Sequence, residues 1–386
     1  MFENQLRKNE PSIRCTSSSD FNSLLQELSD LDVWVDAITG NVRLGYIEKG
    51  STPAYIYEGA TNEQVNDACA IGSLTLTVNG HNYLLNEGAL FTLKDRAGMT
   101  CKHISALLGA KKYANFCDMM NLALPEYMGK KCKILIRAGQ VLAVHSGNYV
   151  RLDQQLVYTA LENCMSLLFP EAEFDCSSYT HCLTETTYCM SDYTATLMEE
   201  YVQAWTKAGL NAAALSGTNP IIQVNTSDTG EFCLEVAPLL KMDTGYYPLG
   251  DKYAIKHHGN ARISKLEGAV KKCFIKLQDG LKDAAQLLQT ELEYPVAAMI
   301  RAAEEVGIVK DAKKACRNLV EAYKACLFPG EAVSAFDIYM QLCDIRYTAE
   351  FAKMSAKTKI KVTENLYRLL ALDWTSLDRP GKDEVE

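Results

Sequence analysis

At Asn260 the hydrophobic pattern of this chain changes period, and that switch constrains the fold more than any other feature. Beyond it, apolar residues recur at Ile263, Leu266, Val270, Phe274, Leu277, Leu281 and Leu288, the spacing of one long amphipathic helix. Shorter runs of the same period around Val296 to Val306, Ala312 to Leu327, Val333 to Ile345 and Thr358 to Leu372 predict further helices, before the polar tail "DRPGKDEVE". Upstream the period is that of strands. "DVWVDAITGNVRLGYI" alternates around a Gly-Asn turn and "SLTLTVNGHNYLLN" around Asn79-Gly80, a pair suited to a type I′ turn. "KCKILIRAGQVLAVHS" reads as a third hairpin.

Between the second and third hairpins, "FTLKDRAGMTCKHISALLGAKKYANFCDMMN" predicts short helices, with Thr100 as an N-cap and Gly98 at a turn of helix-turn-helix length. A helix from Asp153 to Phe169 follows. Strand Glu173 to Thr184, helix Ser191 to Lys207, and strands in "PIIQVNT", "EFCLEVAPLLK" and "KYAIKHH" come next. The expected class is therefore α+β: an N-terminal β-hairpin region over 1–90, an α+β core over 91–260 and a helical C-terminal region over 261–386.

With 48% hydrophobic and 23% charged residues the chain is an ordinary globular one, not a disordered one. No run approaches the length of a membrane span, and "MFENQLRKNEPSIRC" has no apolar core after its charges, so neither a span nor a leader is expected. Fourteen cysteines in such a chain are expected as reduced thiols, which points to the cytoplasm. Cys176, His181, Cys182 and Cys189 lack the close pairs with which two thiolates grip zinc, so no metal and no cofactor is called for.

The formal charge of -9 hides a strong segregation. Phe91 to Arg151 holds ten cations against three acids, a net of +7, and Asp251 to Lys276 holds seven against two, a net of +5. Leu152 to Gly250, between them, has thirteen acids and two cations. Phosphate contacts depend on local potential and not on whole-chain charge, so the two basic blocks point to a polyanion. The candidate nucleic-acid-binding residues are Lys111, Lys112, Lys130, Lys131, Lys133, Arg137 and Arg151 from the first block. From the second come Lys256, His257, His258, Asn260, Arg262 and Lys265. Tyr113, Phe116, Tyr127, Tyr149, Tyr253 and Phe274 lie among them as candidate stacking partners for bases. "KHHGNARISK" is also the junction of a strand with the long helix, whose first unpaired N–H groups favour an anion.

Three segments carry a resemblance. "KILIRAGQVLAVHSGNYVRLDQQLVYTAL", "NPIIQVNTSDTGEFCLEVAPLLK" and "YAIKHHGNARISKLEGAV", in that order, resemble the phage and plasmid proteins catalogued as domain of unknown function 932. The matching positions are Tyr149, Arg151, Leu152 and Asp153, then Asn225, Ser227, Asp228 and Gly230, then His257, Gly259 and Asn260. The likeness runs from about Leu90 to the end of the long helix, and "KMDTGYYPLG" departs from it. It implies a mobile-element context in a bacterial cytoplasm, and no established reaction.

Enzyme motifs are missing: there is no phosphate-binding G-x-x-x-x-G-K-[ST] loop, no H-E-x-x-H and no G-x-S-x-G. Asp228, Glu231 and Glu235 are the best acidic set for a metal-dependent nuclease, but they read more simply as a solvated strand face. The leading expectation is a binding protein for single-stranded DNA in recombination or annealing. Its partners would be nucleic acid, further copies of the chain, or a host or phage protein, and no membrane. A counter-defence or interaction module acting through the acidic segments is the alternative.

Overall fold

The computed structural model describes residues 2–128, 131–190, 194–211, 215–257, 259, 261–328, 330, 332–354 and 356–381. The fold is α+β with a helical C-terminal region. In chain order the strands of its two large sheets are β1 (Ile13–Cys15), β2 (Asp32–Ile38), β3 (Val42–Ile47), β4 (Ser73–Val78), β5 (His81–Leu85), β6 (Lys131–Arg137), β7 (Gln140–Ser146), β8 (Glu173–Tyr179), β9 (Thr184–Cys189), β10 (Asn219–Thr226), β11 (Leu234–Met242), β12 (Gly245–Pro248) and β13 (Tyr253–Ile255).

One sheet has the order β2-β6-β7-β5-β4-β3, antiparallel except for the β5–β7 pair. The β4–β5 hairpin turns on Asn79 and Gly80 at φ 50° and 88°, the two positive angles a type I′ turn requires. The hairpin expected over 32–47 does not form. Its linker, Thr39–Asn41, is a 3-10 turn without a positive φ, so β2 runs on to pair with β6 and β3 with β4. β2 and β3 become opposite edges of a sheet joined by three residues, and the sheet must curl until those edges meet. Asn79 closes the seam, donating from Nδ2 to Asp36 O at 3.3 Å and from its backbone N to Asn41 O at 3.1 Å.

The curled sheet wraps the Ala89–Arg96 and Tyr113–Met128 helices, burying Leu93, Phe116, Met120 and Leu124 against Leu44, Leu76, Ile134 and Val144. Each such side chain contributes about 1.5–3 kcal/mol of transfer free energy. Between these helices the Lys102–Gly109 helix starts from Cys101, in extended backbone and with no capping side chain, so Thr100 is not the cap expected of it.

The second sheet has the order β1-β8-β9-β10-β11-β12, with β13 also on β11, and is antiparallel throughout. On it lie the Gln154–Leu168 helix, capped by Asp153 through the Leu156 N–H at 3.2 Å, the Glu199–Lys207 helix and the Leu266–Leu288 helix. The last is the long helix of the period switch, entered through a 3-10 turn at Ile263–Lys265. Its Gly280 lets the Leu249 carbonyl approach the helix axis; a Cβ there would run into that oxygen. The helices Pro295–Glu305, Ile308–Cys326 and Ala335–Cys343 join the same buried cluster through Met299, Ala302, Ala315, Phe336 and Leu342. Among the described residues, no helix is long and apolar enough to cross a membrane.

Candidate functional site

The two sheets meet at the turn between β10 and β11. Ser227 Oγ accepts the Thr229 N–H at 3.2 Å and lies 2.9 Å from Thr229 Oγ1, which holds the turn in shape. Gly230 follows at φ 78°, pressed so close to the His145 ring of β7 that a Cβ would lie 2.9 Å from its Cε1. His145 Nε2, facing a carbonyl, must donate, and does so to Asp228 O at 2.7 Å.

Beneath this turn is a buried charge network. Arg137, at the end of β6, is 1% exposed. Its Nε and Nη2 donate to the Asp32 carboxylate at 2.5 and 2.8 Å, Nη2 also to Asp228 Oδ2 at 3.0 Å, and Nη1 to Tyr179 Oη at 2.6 Å. Gln154 Nε2 donates to the same Asp228 oxygen at 2.5 Å. Burial pushes the Asp228 carboxyl up to about 6, against the pull of Arg137; Asp32, a second carboxylate on the same guanidinium, adds to the rise. Burial is the largest single influence on Arg137 and opposes its charge, but Asp32, Tyr179 and Asp228 together outweigh it and hold the guanidinium more firmly protonated than usual.

Four planar side chains stack above the network. The His145 and Tyr149 rings are 3.7 Å apart and inclined by 6°, Tyr149 and His257 5.3 Å apart and inclined by 7°, and Trp34 lies 5.9 Å from both His145 and Tyr149. Tyr149 Oη is 3.0 Å from His257 Nδ1, and the His257 carbonyl accepts the Val150 N–H at 2.7 Å. Positions 149–153, 227–230 and 257, far apart in sequence, are thus brought to one place.

This stack borders a pocket of about 260 Å³. Phe91, Asp95 and Arg96 of the Ala89–Arg96 helix, Phe232, Cys233 and the exposed Lys256 also line it, the Asp95 carboxylate being paired with Arg96. Phe91 also lines a larger cleft of about 1020 Å³, which carries Lys94, Lys111 and Lys361, with Glu87 and Glu231 opposing them. Burial drives the His145 imidazole down to about 4, helped by the neighbouring His257, Arg96 and Lys133, so its ring is neutral at pH 7. The Tyr149 hydroxyl and the Cys233 thiol at the pocket are both shifted upward, by burial first. The site therefore offers stacked rings and a hydroxyl under a rim with cations, a combination suited to an anion that carries a planar group.

The candidates expected from sequence divide sharply. Lys256 stands on the pocket, Lys111 lines the cleft, and Lys112, Lys131, Arg262 and Lys265 are exposed, with no ion pair among the described residues. Lys133 is half-buried and donates to Tyr149 O at 2.8 Å. Arg151 pairs with Asp153 at 2.5 Å and sits 5.4 Å over the Trp34 ring. One reading needs correction: Arg137 is 1% exposed with its donors turned to Asp32, Asp228 and Tyr179, so it is not placed to meet a phosphate. His257 is buried in the stack and lines the pocket. Lys130, His258 and Asn260 lie outside the described residues.

Of the aromatic candidates, Phe116 is core, Phe274 packs on Phe169 at 4.5 Å, and Tyr113 lines the cleft. Sequence reading passed over Phe91, Arg96, His145 and Phe232. Only the placement of Arg96 in the first basic block hinted at any of them. The carboxylates weighed for a metal are drawn apart: Asp228 to Arg137, Glu231 to the Cys182 thiol at 3.3 Å, and Glu235 to Lys252 at 2.7 Å. Among the described residues, no group of three His, Cys, Asp or Glu is placed to hold a metal ion.

Comparison with protein families, curated proteins and solved structures finds no match to this chain.

Proposed function

We propose that the face carrying the pocket and the cleft binds nucleic acid, with single-stranded DNA the favoured ligand, and that binding rather than catalysis is its task. The observation that supports this most is the meeting of the two basic blocks. Arg96 of the first and Lys256 of the second line one pocket, although an acidic stretch separates the blocks in sequence. Lys94 and Lys111 extend the first block along the adjoining cleft, and Arg262 and Lys265 extend the second toward the long helix. A strand could lay its phosphates along such a path and turn bases toward Phe91 and Phe232.

We read this binding as that of a mobile-element protein in a bacterial cytoplasm, a context the sequence resemblance to phage and plasmid proteins supports, with recombination or strand annealing as its setting by analogy. Annealing would call for assembly of several copies on the strand. Fluorescence anisotropy with a labelled single-stranded oligonucleotide at low salt tests the reading, with duplex of the same sequence as comparison. Saturable binding that prefers the single strand is expected; absence of binding at low salt would overturn it.

A further inference from the structure

We propose that the pocket of about 260 Å³ holds one nucleotide unit, its phosphate between Lys256 and Arg96 and its base against Phe91 and Phe232. This deepens the nucleic-acid reading and rests on it for the larger ligand, but it concerns a distinct recognition event. The size is the first argument. Sites for drug-sized ligands run from roughly 300 to 1,000 Å³, so this one suits a single small unit and not a length of strand.

Its chemistry is the second. The pocket combines features that a nucleotide needs together and that a simple anion does not. At the rim Lys256 is exposed and has no ion pair among the described residues, while Arg96 is tied to Asp95 at 2.5 Å through one nitrogen, Nη2. Ser146 also lines the pocket, while His145 Nε2 and Tyr149 Oη are engaged with Asp228 O and His257 Nδ1 and present chiefly their rings. Phe91 is the third argument. The Ala89–Arg96 helix buries Ala89, Thr92 and Leu93 against the curled sheet, yet Phe91 is 46% exposed on its other side, between the two cavities. An aromatic ring in that position is a stacking surface open to a planar ligand, with the cleft as the route for the rest of a strand.

The experiment is calorimetric titration with deoxyadenosine monophosphate, and in parallel arms deoxyadenosine and inorganic phosphate, followed by competition against a labelled single-stranded oligonucleotide. Phe91→Ala and Lys256→Gln, both at exposed positions, are the variants. The monophosphate should bind more tightly than either fragment and displace the oligonucleotide. Loss of the ring should weaken it about fivefold or more, the low end of base–aromatic stacking. Lys256→Gln should weaken the monophosphate and leave deoxyadenosine unaffected. Equal binding of phosphate and monophosphate, or no effect of Phe91→Ala, overturns the proposal.

The two readings fail separately. If the oligonucleotide binds and Arg262→Glu with Lys265→Glu weakens it, while the monophosphate and the pocket variants do nothing, strand binding stands and the nucleotide pocket falls. If the monophosphate binds through Phe91 and no oligonucleotide does, the pocket stands and the strand reading falls.

Discussion

Replacing Arg137 with methionine should unfold the junction between the two sheets. The guanidinium is 1% exposed and makes four hydrogen bonds, at 2.5, 2.6, 2.8 and 3.0 Å, to Asp32, Tyr179 and Asp228. Methionine fills much of the volume but leaves two carboxylates facing each other in a low dielectric. Removing one partner of a buried ion pair costs about 3–5 kcal/mol, because the remaining charge is uncompensated. That is a large part of the stability of a typical domain, about 5–15 kcal/mol.

Denaturant unfolding followed by circular dichroism at pH 7 measures it. Arg137→Met with Asp32→Asn and Asp228→Asn should recover most of the loss, since the penalty is one of charge. A single-variant loss below about 1 kcal/mol, the range of exposed pairs, would refute the assignment of Arg137 as a buried structural hub.

Two further outcomes follow from the same geometry. Asp228, with its carboxyl raised to about 6, binds its proton more tightly in the folded chain; its contribution is full below its ordinary value of 3.8 and is lost as pH rises through 6. His145 and His181, both lowered to about 4 by burial, act in the opposite sense, stabilising above 6.5 and losing that contribution as pH falls toward 4. Asp228→Asn should therefore steepen the loss of stability between pH 6.5 and 4, read as the denaturation midpoint against pH; a slope unchanged from the parent would contradict it. Gly280→Ala should destabilise by roughly 1–3 kcal/mol through overpacking on the Leu249 carbonyl, despite the better helix propensity of alanine. A thermal midpoint equal to or above the parent's would show that the close approach is not rigid.

Much of the fold was legible because its signals are local. Asn79-Gly80 writes its own turn, and the apolar spacing from Leu266 to Leu288 its own helix. The edges of the curled sheet were not legible, since nothing in "DAITGNVR" says that β2 will pair with a strand near residue 131 instead of with β3. The site shows the same division. That Lys256 would be exposed could be read from its block, since an exposed cation needs no partner. Arg137 looked identical in sequence, and only its partners, 105 and 91 residues away, make it structural. Phe91 and His145 gave no signal, because their places in the pocket come from the packing of a helix and a turn against β7.

The central claim is that cations from both basic blocks act on one bound strand, and its most direct measurement is the salt dependence of oligonucleotide affinity in Lys94→Gln with Lys256→Gln. These side chains come from separate blocks and line the adjoining cleft and pocket. Each lost phosphate contact removes roughly 0.7 from the log–log slope for a single strand. The double variant should thus bind more weakly at low salt with a slope shallower by about 1.4, twice that per-contact value. An affinity and slope equal to the parent's, in a protein that unfolds at the parent's midpoint, would contradict the claim.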